Sequence, residues 1–158
     1  MYQLHGIRRK VAAVAVVVGL AFTGALASGP SALATDPDDA PPGYAGPLSG
    51  CPGTLTYVVY LRNAAGTSLG SALHVWYSSA SGGTYCAMTF DNLASSHHME
   101  VVVRRGDWQT WWYDSGTYNT YAGAIAVYGA ASKCVYFFGR VTVSGVNYEV
   151  RLKTLLCP

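Results

Sequence analysis

Beyond residue 50 the chain alternates apolar and polar positions with a period of two, in short runs broken by turn residues. Leu55, Tyr57, Val59 and Leu61 give one apolar face, and Asn63-Ala64-Ala65-Gly66 supplies a turn. Leu69, Leu73, Val75 and Tyr77 continue a second strand, and Ser81-Gly82-Gly83 leads into a third over 86–90. After the polar stretch 91–96, Met99, Val101 and Val103 alternate with Glu100, Val102 and Arg104, the pattern of a half-buried strand. No window longer than a turn or two repeats apolar residues at helical spacing. The pattern predicts an all-β domain, an antiparallel β-sandwich or barrel of about eight strands.

The aromatic-rich stretch 107–143 organises the rest. Asp114-Ser115-Gly116 has the chemistry of a three-residue hairpin loop, which sets Tyr113 opposite Thr117, Trp112 across from Tyr118 and Trp108 across from Ala122. In that register Trp111, Tyr113, Tyr121, Ile125 and Val127 face the core. Trp108, Trp112 and Tyr118 then point outward and form the candidate binding residues, since flat side chains stack sugar rings at little cost in entropy. Core filling is the reading favoured over a binding platform, since a small sandwich needs large residues to fill its two layers, and a register slip of one residue inverts the facing assignment.

The closing hairpin predicts a turn at Ser144-Gly145 with Val143 facing Val146, so Cys134 faces Leu155 and Cys157 lies one diagonal step away. Cys51 and Cys86 likewise lie at one end of a three-strand meander. Cys51–Cys86 and Cys134–Cys157 are therefore the preferred disulfides of the three pairings four cysteines allow. A bridge from Cys51 to Cys157, tying the termini, is the alternative. No CxxC spacing supports zinc or thiol redox chemistry.

At the N-terminus, Arg8, Arg9 and Lys10 precede an apolar run and then Ala32-Leu33-Ala34, the three-part layout of a secretory signal. Cleavage is expected after Ala34, with Ala27 as the alternative site, so 1–34 is read as the signal peptide. The run is near the minimum length of a membrane span, and a retained anchor is the competing reading. Residues 35–50, rich in Pro, Gly and Asp, are read as a flexible leader, and 51–158 as the β-rich domain. Beyond residue 34 the chain has seven Lys and Arg against eight Asp and Glu, so its apparent basicity belongs to the signal. No run of basic residues points to nucleic acid or to an anionic membrane.

Few motifs carry chemistry. Gly66-Thr67-Ser68-Leu69-Gly70 fits G-x-S-x-G, with Asp91 and His97 or His98 following in hydrolase order, but that motif works on a strand-to-helix turn over a parallel sheet. His97 and His98 are neighbours on a predicted strand and point to opposite faces, so they cannot share one metal ion. Asp107 and Asp114 lie on opposite faces too far apart for paired glycoside chemistry. Arg105-Gly106-Asp107 spells an adhesion tripeptide and reads more simply as a turn. Neither a cofactor nor a catalytic residue is expected.

The run DSGTYNTYAGAIAVYGAASKC, the YCAMTF segment and the closing Cys157 resemble the spore-associated protein A family, small secreted proteins of spore-forming filamentous bacteria. The resemblance spans residues 51–158 and rests on cysteines, glycines and aromatics. It implies export and association with the spore or aerial-cell surface, with the spore wall or a cell-surface polysaccharide as partner. The expected function is that of a secreted, non-enzymatic surface protein. A glycan- or cell-wall-binding module is the first alternative and a small serine hydrolase around Ser68 the remote one.

Overall fold

The computed structural model describes residues 44–45 and 50–157. The expected signal peptide and most of the leader lie outside these residues. Among the described residues nine antiparallel strands form two sheets: β1 (Tyr44–Ala45), β2 (Thr54–Tyr60), β3 (Ala72–Ser78), β4 (Thr84–Phe90), β5 (His97–Arg105), β6 (Trp112–Tyr118), β7 (Tyr121–Val127), β8 (Val135–Val143) and β9 (Val146–Lys153). The first sheet has the order β1-β7-β4-β3-β2 and the second β6-β5-β8-β9. Of the two architectures expected, the chain adopts the sandwich.

Alternation explains the core. Met99, Val101 and Val103 of β5 and Val135, Phe137 and Val141 of β8 are buried, facing Leu73, Val75, Ala87, Ile125 and Val127 of the first sheet. Gly139 completes the β8 series. A Cβ there would stand 2.7 Å from Thr89 Oγ1 and 3.2 Å from Leu73 Cβ, so the glycine sets how closely the sheets approach. In β2 a register shift between Leu55 and Tyr57 turns Leu55 outward, against the expected alternation.

Both disulfides form as the meander and closing hairpin require: Cys51–Cys86 and Cys134–Cys157, with Cα separations of 5.4 and 4.5 Å. The closing hairpin also has the expected register, Val143 opposite Val146. Bridges closing loops of 35 and 23 residues each contribute about 3 kcal/mol by restricting the unfolded chain. Together they point to an oxidising compartment. Among the described residues no helix is long and apolar enough to cross a membrane.

The expected central hairpin is corrected. Asp114-Ser115-Gly116 is no loop but the middle of β6, paired with Val101, Glu100 and Met99 of β5. The chain turns later, at Asn119-Thr120, and β7 joins the other sheet beside β4. Every facing assignment on β6 inverts in consequence. Trp112 is 2% exposed and Trp108 6%, both in the core, whereas Trp111 is 43% exposed. Tyr118 is half-buried against the core, and Tyr113, expected inside, stands opposite Val102 on the outer side. Tyr121 is exposed on the far face of the first sheet, while Ile125 and Val127 are buried as expected.

Candidate functional site

The strands of the second sheet place their outward side chains in rows. Tyr136 lies between Arg104 and Lys153, with Trp111 beyond Arg104. In the adjacent row Tyr113, Val102, Phe138 and Arg151 follow one another across the sheet. A third row holds Ser115, Glu100, Arg140 and Glu149. Rows two residues apart on a strand are separated by about 7 Å, and neighbouring strands by about 4.8 Å. The first two rows are therefore a continuous strip of rings and cations without a carboxylate.

Geometry fixes these groups. The Arg104 guanidinium stacks 4.6 Å from the Trp111 ring centroid and 5.0 Å from that of Tyr136. Phe138 is flanked by Arg151 at 5.1 Å and Arg140 at 5.7 Å. Arg140 also pairs with Glu100 at 2.5 Å. Arg104 and Arg151, by contrast, have no carboxylate partner among the described residues. Arg104 Nε is in addition buried without a hydrogen-bond partner. Between the rings lies a cavity of about 330 Å³ lined by Val102, Trp111, Tyr136, Phe138 and Arg151.

The residues proposed from the sequence as a platform are not brought together on a surface. Trp108 and Trp112 fill the core, and the Arg105 guanidinium lies 5.1 Å from the Trp108 ring centroid. Tyr118 donates to Asp114 Oδ1 at 2.6 Å, while Asp114 Oδ2 accepts from Gly123 N at 2.6 Å, joining β6 to β7 across the interior. Burial and the hydrogen bond to Asp114 push the Tyr118 pKa upward, so its hydroxyl stays a donor. Of the outer strip, Tyr136 and Phe138 were legible in the alternation of β8, which places them on the face opposite Val135, Phe137 and Gly139.

The hydrolase residues take a different arrangement from the one expected. Ser68 lies on the β2–β3 loop, where its Oγ accepts from Gly70 N at 3.2 Å. The serine beside the histidine is Ser95. Its Oγ lies 3.4 Å from His97 Nε2, and His97 Nδ1 lies 2.5 Å from Asp91 Oδ2. The buried Asp91 also accepts from Ser71 Oγ at 3.0 Å and from Leu93 N at 3.1 Å. An acyl substrate would need a bed beside the hydroxyl and donors for its oxyanion. The clefts on the two outer faces are lined by neither Ser95 nor His97. Through the Asp91–Ser71 hydrogen bond the trio ties the β4–β5 loop to the end of the β2–β3 loop.

His98 is exposed and lies near Ser115, apart from His97. Among the described residues no three His, Cys, Asp or Glu side chains are grouped as metal ligands. The Arg105-Gly106-Asp107 tripeptide closes on itself: Arg105 Nε donates to Asp107 Oδ1 at 2.7 Å, and this bond, with Lys133 at 3.3 Å, holds the carboxyl below its usual pKa.

Fold and site define a disulfide-braced antiparallel β-sandwich with an aromatic and cationic outer face. No family model, curated protein or solved structure matches the chain.

Proposed function

We propose that the protein is a secreted, non-enzymatic component of the cell or spore surface that holds a polysaccharide on the outer face of β6-β5-β8-β9. The observation that carries this reading is the ordered strip of Trp111, Tyr136 and Phe138, rings held by stacked arginines around an open cavity. Sugar rings present an apolar C–H face, and aromatic planes already fixed in place bind it with little ordering entropy left to lose. The signal expected over residues 1–34, the two disulfides and the motif resemblance to spore-associated proteins support the extracellular setting.

Retention on insoluble wall polysaccharide tests the reading, together with fractionation of culture medium, wall and cytosol. The protein is expected in the medium or wall, and Trp111→Ala with Phe138→Ala should weaken retention about tenfold, the loss of one or two stacking contacts. Equal retention of parent and variant, or confinement to the cytosol, would remove the proposal.

A further inference from the structure

We infer that the polymer held on this face is an acidic glycan, its pyranose rings stacked on Trp111 and Tyr136 and its anionic groups received by Arg104 and Arg151. This rests on the surface-binding reading above and specifies its ligand.

The argument is one of charge. Beyond residue 34 the chain carries seven basic side chains against eight acidic ones, so nothing in its overall charge favours an anion. Yet four of the seven, Arg104, Arg140, Arg151 and Lys153, stand on this one sheet face. The carboxylates of the same face, Glu100 and Glu149, both sit in the third row beside Arg140. The two rows that line the cavity therefore carry net positive charge.

A guanidinium left without a counterion beside an apolar cleft is an unfilled anion site, and its planar fork suits a carboxylate in two-point contact. Both flank the cavity, Arg151 as a lining residue and Arg104 through Trp111 and Tyr136, the two lining rings on which it stacks. Stacking on Trp111 and Tyr136 holds the Arg104 guanidinium in place. Arg151 is exposed and lines the cavity directly. A neutral glycan would use the rings but leave both cations unpaired. A repeating acidic glycan uses both, with anions on either side of a stacked ring.

Single-stranded nucleic acid also combines stacking faces with negative charge, and it serves as the opposing probe. Binding of the full secreted chain would be measured by calorimetry to polygalacturonate, to a neutral β-glucan of similar length and to a single-stranded oligonucleotide, at low and at physiological salt. Polygalacturonate should bind at least about tenfold more tightly than the glucan, the worth of one charge-assisted hydrogen bond, and should weaken as salt rises. Arg104→Ala and, independently, Arg151→Glu should abolish the preference. Arg151 is exposed, so that variant keeps the test decisive even where Arg104→Ala disturbs packing.

Equal affinity for both glycans would overturn the acidic ligand while leaving the glycan-binding reading in place. Failure to bind either glycan would end both. Tighter binding of the oligonucleotide, or an unchanged preference in Arg151→Glu, would overturn the inference.

Discussion

The two sheets of this sandwich use the same backbone architecture and almost opposite chemistries. Strands β2, β3, β4 and β7 contain no Lys, Arg, Asp or Glu, and the outer face they build includes Leu55, Val58, Tyr60 and Tyr121 as exposed side chains. Strands β5, β6, β8 and β9 hold Glu100, Arg104, Arg105, Asp114, Arg140, Glu149, Arg151 and Lys153. Both sheets bury an aliphatic inner face, so stability alone does not require the asymmetry. Apart from Asp114 and Arg105, which lie on the inner side, what separates them is the outward set of residues, which packing leaves free to vary. On the first sheet aromatic and aliphatic groups close over one another, as His74, Trp76 and Phe90 do. On the second, arginines stack on the rings: Arg104 lies over both Trp111 and Tyr136, whose centroids are 6.2 Å apart, and Arg151 and Arg140 flank Phe138.

The sharpest way to break this comparison lies in two adjacent tryptophans. Trp112 is opposite Val103 and faces the core, while Trp111 is 43% exposed beside Arg104. Trp112→Ala is expected to cost about 4 kcal/mol of unfolding free energy, from lost burial and the cavity it leaves. Trp111→Ala should cost under about 1 kcal/mol, because it surrenders mainly a surface cation–π contact. Denaturant unfolding of the two variants measures the difference. A reversed order would mean that β6 pairs one residue out of register and that the outer strip is misassigned.

A smaller effect probes the polar link between the sheets. Asp114 is buried and accepts from Tyr118 OH on its own strand and from Gly123 N on β7. Removing the carboxylate by Asp114→Ala leaves two donors without their acceptor, so a loss of about 3 kcal/mol is expected. Asp107, with an exposed carboxylate paired to Arg105 and Lys133, should tolerate the same change at a cost below about 1 kcal/mol after solvent screening. Thermal unfolding of both variants checks the ranking, and equal losses would show that the Asp114 bridge contributes nothing beyond a surface pair.

These two sites also mark where the sequence was legible. Alternation alone placed Met99, Val101 and Val103 inside, and turn chemistry at Ser144-Gly145 fixed the last hairpin and with it the reach between Cys134 and Cys157. The error lay at Asp114-Ser115-Gly116, whose local preferences are those of a loop. Two tertiary facts override them: the ladder with β5 pairs all three residues, and Asp114 finds its partner on β7, in the other sheet. No local signal separates a buried Asp that caps a remote backbone amide from an Asp that opens a turn. Because strand period is two, that single misplacement moved Trp112 and Tyr118 to the wrong face and hid Trp111 from view. The β8 strand carried the missing signal, since Tyr136 and Phe138 alternate cleanly with Val135 and Phe137. The strip as a whole needs four strands in register, which residue order along one strand does not encode.

The gentlest test concerns the sheet that lacks fixed charge. His74 is its one titratable group near neutrality, held at a ring distance of 4.6 Å from Phe90 and 5.7 Å from Trp76. Burial lowers its pKa from the ordinary 6.5, since the surrounding apolar groups disfavour the charged ring. The unfolded chain then binds more protons than the folded one just below that value, so stability rises with pH through the window. His74 therefore contributes fully above pH 6.5, its ordinary value, and progressively destabilises the fold as the medium acidifies below it. Replacing it by Phe, which keeps a ring in the cluster and removes the proton site, should flatten the dependence of the melting temperature on pH between about 7 and 5, in a window above the ordinary titration of carboxylates. A difference between parent and variant that failed to narrow as pH rose would show that protonation of His74 is not what the charge-free sheet resists.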